Sequence, residues 1–339
     1  MILRPKSYSR HSGPLPGATT ATPAVPVPTW LRGAITGAQG LAVKDVEDVA
    51  IAAGAAIGAL DAVVRRQERW AGAWRQRLAL VAAAATAKQA GRVEDENALR
   101  DAVLLTRPGD AVGPAGSFVL AWRRLAGTPT EKLLTEPSIA AVLEEFGYAP
   151  DDEVASELAD DLQRLSAREG MVGMLTGVFA IAERHVFARS LSPWLADAML
   201  AQRLGWAHPV PLLGSDAALG VSPARPRRSA ASSVATGIDT ESDRAKNLLA
   251  AQARATLRAI DLSTELGRRA DKLLAVAPKL RAKAADAVVD KLLADDAIVA
   301  SEKITGMSDR GLRRLFDRLV ELGAVRELSG RPTFRIYGL

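Results

Sequence analysis

Residues 285–339 read ADAVVDKLLADDAIVASEKITGMSDRGLRRLFDRLVELGAVRELSGRPTFRIYGL, and the order of their parts decides how this end of the chain folds. Ala287, Val288, Leu292 and Leu293 supply the apolar side of a first helix. Residues 298–305 predict a short second helix, and Gly306 suits a tight turn after it because it lacks a Cβ. Ser308 is placed to cap a third helix, in which Leu312, Leu315, Phe316, Leu319 and Leu322 recur on one face. Gly323 is a helix stop. Residues 325–328 and 333–337 then read as two strands around Ser329-Gly330-Arg331-Pro332, a hairpin with Phe334 and Ile336 on the same side.

Helix, helix, capped basic helix and basic hairpin is the order of a winged helix-turn-helix. A recognition helix must bury one face to be held rigidly while the other presents donors to the major groove. Arg310, Arg313 and Arg314 fit base or phosphate contact there, beside the cap residue Ser308. Lys303, Arg331 and Arg335 fit the sugar-phosphate backbone, which positions a protein without reading sequence. Double-stranded DNA is therefore the expected partner, and the reading is of a DNA-binding regulator. Asp309, Asp317, Glu321 and Glu327 interrupt the basic surface, so a winged unit that contacts protein is the alternative.

Charge is distributed consistently with the first reading. Residues 225–339 hold 22 Lys and Arg against 15 Asp and Glu, while residues 1–224 hold 22 against 24. A polyanion would meet the C-terminal third. The 339 residues are 48% hydrophobic but only 4% aromatic, and Ala dominates, which favours closely packed helices over a β-sandwich. The chain has no Cys, which removes disulfides and thiolate metal sites and fits a cytoplasmic setting. Arg4, Lys6 and Arg10 precede Pro, Thr and Ser rather than an apolar run, so no signal peptide is expected. The apolar runs 49–60 and 171–182 fall short of the ~20 residues a span needs, so no membrane association is expected.

The fold class expected is mainly α: a helical bundle-like domain followed by the winged unit with its small β-hairpin. Residues 1–29 form a Pro-rich tail, 30–213 an all-α domain, 214–240 a linker, 241–284 connecting helices and 285–339 the winged unit. Trp70, Trp74, Leu78 and Val81 mark an amphipathic helix, and Gly54 and Gly58 in the run 49–60 suit tight helix packing. Glu94, Asp95 and Glu96 open a helix, and the turns 107–110 and 113–116 break it. Further helices are predicted over 117–126, 130–146, 151–168, 170–190, 192–204 and 241–274. The helical domain is expected to sense, form a homo-oligomer or bind a protein partner.

The chain resembles a bacterial family known as domain of unknown function 1403. The likeness is carried by residues 70–80 (WAGAWRQRLAL), 91–96 (GRVEDE), 99–102 (LRDA), 107–110 (RPGD), 113–116 (GPAG), 194–198 (WLADA), 273–282 (LLAVAPKLRA), 315–325 (LFDRLVELGAV) and 330–334 (GRPTF). It implies a shared architecture and no activity or ligand. The C-terminal part is also similar to winged helices attached to some Fic-type proteins, although no Fic core motif is present.

Other chemistry finds little in the sequence. His11, His185 and His208 are dispersed, and Glu183 and His185 point to different helix faces, so no metal or cofactor is expected. Glu94, Asp95, Glu96, Arg100 and Asp101 with Arg107 and Asp110 are the one acid-base cluster, and surface pairing at a helix start accounts for them; the chain is not expected to be an enzyme. Trp70, Trp74 and Trp122 are core candidates.

Overall fold

A computed structural model describes residues 27–37, 40–41, 44–107, 109–149, 151–185, 191–216, 241–280, 282, 284–331 and 333–339. The predicted tail lies outside the described residues up to residue 26, and the predicted linker from residue 217. The described chain is mainly helical. Helices α1 (Thr29–Thr36), α2 (Val46–Val64), α3 (Ala71–Gln89), α4 (Glu96–Leu104), α5 (Gly113–Gly127), α6 (Thr130–Leu133) and α7 (Glu136–Glu145) are followed by α8 (Asp152–Arg168), α9 (Met171–Arg184), α10 (Ser192–Leu204) and α11 (Glu241–Val276). Among these described residues, no helix is long and apolar enough to cross a membrane.

Local chemistry sets several of the ends. Asp95 caps α4 by accepting from the Ala98 N–H at 2.8 Å, and Asp151 caps α8 by accepting from Glu153 and Val154. The turn 113–116 does not interrupt a helix as predicted but opens α5, because Pro114 falls in the first turn, where no intrahelical N–H is needed. Pro193 opens α10 in the same way.

The helix α3 sits at the centre and is buried on more than the one stripe its sequence suggests. Trp74, Leu78, Leu80, Ala82, Ala83 and Ala87 are all buried, and α4, α5, α11 and a later helix pack around it. The three fully buried indoles of this core each have a polar partner: Trp74 donates to the Ala259 carbonyl, Trp122 to Thr86 Oγ1 and Trp194 to the Ala121 carbonyl, at 2.9–3.0 Å. The long α11 lies along α2. Their contact is made by Ala52, Ala53 and Ala56 against Leu249, Ala250, Ala253 and Leu257. Gly54 and Gly58 face the other way, and a Cβ added to either would meet nothing within 4 Å, so alanines and not glycines bring the two helices together.

The C-terminal segment runs α12 (Ala285–Ala294), β1 (Ile298–Val299), α13 (Asp309–Glu321), β2 (Arg326–Glu327) and β3 (Ile336–Gly338). The strands form an antiparallel sheet in the order β1-β3-β2, pairing Ile298 with Tyr337, Val299 with Ile336 and Arg326 with Gly338. The helix predicted over 298–305 is therefore replaced by a strand and turns. Ile298 and Val299 are β-branched and buried, and sheet pairing satisfies both their backbone and their side chains. Gly306, at φ +84°, makes the turn before α13. Phe334 departs from its predicted side: it stands at φ +57° and is 67% exposed, while Ile336 is buried.

One core cluster of buried residues runs from Ile57 in α2 through the helices to Leu339, so the C-terminal sheet and α13 pack onto the same apolar interior as the helical body.

Candidate nucleic-acid interface

The helix α13 is fixed from both ends and from below. Ser308 Oγ accepts from the Gly311 N–H at 3.2 Å and Asp309 sits in the first turn, complementing the helix dipole. At the other end the Gly323 N–H reaches the Val320 carbonyl and the Ala324 N–H reaches the Leu319 carbonyl, a paired closure that Gly323 permits at φ +63°. Leu312, Leu315, Phe316 and Leu319 are buried, and Phe316 stacks on Tyr337 of β3 with ring centroids 4.3 Å apart. The opposite face is exposed and carries Arg310, Arg313 and Arg314, which form no ion pair among the described residues.

Three of the four acids on this surface face a basic side chain, while Asp309 stays exposed in the first turn of α13. Asp317 lies 3.7 Å from Arg335, and Glu321 lies 3.1 Å from Arg318. Arg335 also faces Glu327 at 3.8 Å, and the Tyr337 hydroxyl, then Glu327 and Asp317, raise its guanidinium pKa. Arg331 turns toward the helical body, pairing with Asp101 of α4 at 2.7 Å. Of the predicted set, the structure gathers Arg310, Arg313 and Arg314 on α13 and ties Arg335 to it through Asp317. Ser308 serves as its cap, Lys303 is exposed in the preceding loop, and Arg331 is held elsewhere.

The orientation of this unit depends on a residue that the sequence reading passed over. Asp296, between α12 and β1, is buried and accepts from Arg77 Nε of α3 and from Arg100 Nε of α4, the latter at 2.7 Å. Arg77 also donates to the Asp296 carbonyl at 3.2 Å. Burial alone would push the Asp296 carboxyl up, but the two guanidinium groups outweigh it and hold it below the usual range. Arg69–Asp290 at 3.0 Å and Arg331–Asp101 add exposed contacts across the same seam. The signal in the sequence was the pair Asp295-Asp296 set between apolar runs, where a carboxylate needs a partner.

The same pairing disperses the acid-base cluster predicted around α4. Arg100 is committed to Asp296 and to Asn97 Oδ1, Glu94 pairs with Arg92 at 3.1 Å, Asp95 is a helix cap, and Arg107 and Asp110 are exposed. Among the described residues no group of three His, Asp or Glu is placed to hold a metal ion.

The chain belongs to the DUF1403 family. The family model, described as a protein of unknown function, matches residues 17–339. No curated protein and no solved structure matches the chain.

Proposed function

We propose that the chain is a DNA-binding regulator whose C-terminal segment is a winged helix, with α13 as its recognition helix and the helical body serving to sense, oligomerise or bind a partner. The sequence of elements α12-β1-α13-β2-β3 and the sheet order β1-β3-β2 support the winged reading, with turns in place of the usual second helix. The observation that carries the functional reading is the row Arg310, Arg313 and Arg314 on a capped, packed helix, without an ion pair among the described residues and next to Asp317 and Glu321, which face Arg335 and Arg318. Such a row supplies bidentate donors to guanine or point contacts to phosphate.

The test is binding of duplex DNA by fluorescence anisotropy across a salt series. The triple variant Arg310→Ala, Arg313→Ala, Arg314→Ala should bind much more weakly. If all three contact phosphate, the slope of log affinity against log salt should drop by about 2 to 3. Wild-type affinity in a variant that keeps its helical circular dichroism would remove α13 from the interface.

A second reading, contact with protein, is favoured by the exposed apolar residues on this unit: Phe334, and Val320 and Leu322 at 40% and 39% exposure. Absence of binding to any duplex, together with capture of a partner that Phe334→Ser abolishes, would support it over DNA binding.

A further inference from the structure

The hairpin that joins β2 to β3 lies between two helices from different parts of the molecule. On one side Arg335 faces Asp317 of α13 at 3.7 Å. On the other, four residues earlier in the chain, Arg331 pairs with Asp101 of α4 at 2.7 Å. The Leu328 N–H donates to the Ile336 carbonyl and the Ile336 N–H to Ser329 Oγ, so the two arms of the hairpin are bonded to each other across the loop.

The helix α4 offers this hairpin one continuous face, since Arg100, Asp101, Leu104 and Leu105 recur one turn apart. Leu104 and Leu105, together with Leu328 of the hairpin, pack against a small apolar cluster of Ala297, Val299 and Ile336 that is separate from the main core. Arg100 holds Asp296 beside them. The Asp101 side chain is 17% exposed and that of Arg331 54%, so the carboxylate belongs to the packed surface of the body and the guanidinium reaches it from solvent. Held in this way, Arg331 is a poor phosphate ligand. Asp101 occupies its donors and would stand beside any phosphate that approached it, a like charge at close range.

We propose that α4 is a clasp that withholds the wing from DNA. While Asp101 holds Arg331, α13 meets the duplex without the wing tip; release of the hairpin from α4 adds Arg331 to the interface. A partly exposed ion pair is weak enough to exchange one anionic partner for another. The inference rests on the DNA-binding reading of α13 and gives the helical body a means of setting affinity.

The substitution Asp101→Asn removes the charge that holds Arg331, keeps the shape of the side chain and lies outside the DNA-contacting set. In fluorescence anisotropy with a duplex, this variant should bind about two- to fivefold more tightly than wild type. Its slope of log affinity against log salt should steepen by about 1, as one added phosphate contact requires. Arg331→Gln alone should leave wild-type affinity unchanged, because the residue is already withheld, and the Asp101→Asn, Arg331→Gln double variant should lose the gain. The double variant separates the clasp from the general benefit of removing an acid, which would survive the loss of Arg331. Without DNA, hydrogen exchange at the Leu328 and Ile336 amides should quicken in Asp101→Asn while the amides of α13 keep their protection. Equal affinity of Asp101→Asn and wild type, a gain that persists in the double variant, weaker binding by Arg331→Gln alone, or unchanged exchange at the two amides overturns the clasp and leaves the DNA-binding reading standing. Duplex binding by none of the proteins at any salt concentration overturns that reading and the clasp with it.

Discussion

Asp296 is a single carboxylate to which two helices of the body are tied. Its charge is stable only because Arg77 and Arg100 face it, and theirs is tolerable in part because it is there. Breaking one partner of such a buried group costs more than the group contributes net, since the remaining charges keep their desolvation without their compensation. Asp296→Asn should therefore lower unfolding free energy by about 3 to 5 kcal/mol in urea titration. A loss under about 1 kcal/mol would mean that water solvates the two arginines instead. Gly72 makes the neighbouring approach: a Cβ there would stand 2.6 Å from the Ala294 carbonyl oxygen and 2.8 Å from its Cα, both backbone atoms that cannot swing aside. Gly72→Ala should cost about 1 to 3 kcal/mol by forcing α3 and α12 apart. Equal melting temperatures for the variant and wild type would show that the seam is softer than its geometry implies.

At the scale of the element, α13 shows what a sequence can and cannot disclose. Its cap, apolar stripe and stop are all local, so Ser308, Leu312 to Leu319 and Gly323 announce it without any knowledge of the rest. Ser308→Ala should cost about 1 kcal/mol through the Gly311 N–H it leaves unbonded. Gly323→Ala should cost a similar amount, about 1 kcal/mol, because its φ of +63° disfavours a Cβ. The two sites are far enough apart along the helix for the losses to add in the double variant, and urea titration of the three proteins checks this. The segment 298–305 departs from its expected helix because two consecutive β-branched residues cannot declare from sequence whether a strand waits to pair with them; β3 lies almost forty residues on. The same is true of Asp296, whose partners are some two hundred residues away. Faces of α2 were equally hidden: Gly54 and Gly58 looked like packing residues, but only α11 defines which side is inside, and it chose the alanines. The row of α13 arginines was legible from spacing, whereas the pairing that neutralises its neighbouring acids was not.

Across the whole molecule, two buried carboxyls pull stability in opposite directions with pH. Asp296 has a lowered pKa, so its contribution is present above the ordinary carboxylate value of about 3.9 and is lost as pH falls through its lower folded value. Asp197, in α10, accepts from the N–H groups of Leu212 and Leu213 at 2.7–3.2 Å at the start of the 3-10 turn Leu213–Ser215. Burial pushes its carboxyl up to about 8, against the pull of the Leu212, Leu213 and Gly214 N–H groups toward the charged form. Between its unfolded and folded values the native state keeps a proton that the unfolded chain has released, so this contribution is full at low pH and declines as pH rises toward about 8. The residue matters beyond its own turn, because the turn seats Gly214 against Trp122, where an added Cβ would come within 2.2 Å of the ring and 2.9 Å of Ala82 in α3. Asp197→Asn removes the titration while keeping an acceptor. Its stability relative to wild type should therefore increase steadily in urea titrations stepped from pH 5 to about 8, whatever fixed cost the amide carries. A difference that stays constant over that range would show that the N–H groups win over burial and that Asp197 remains charged throughout.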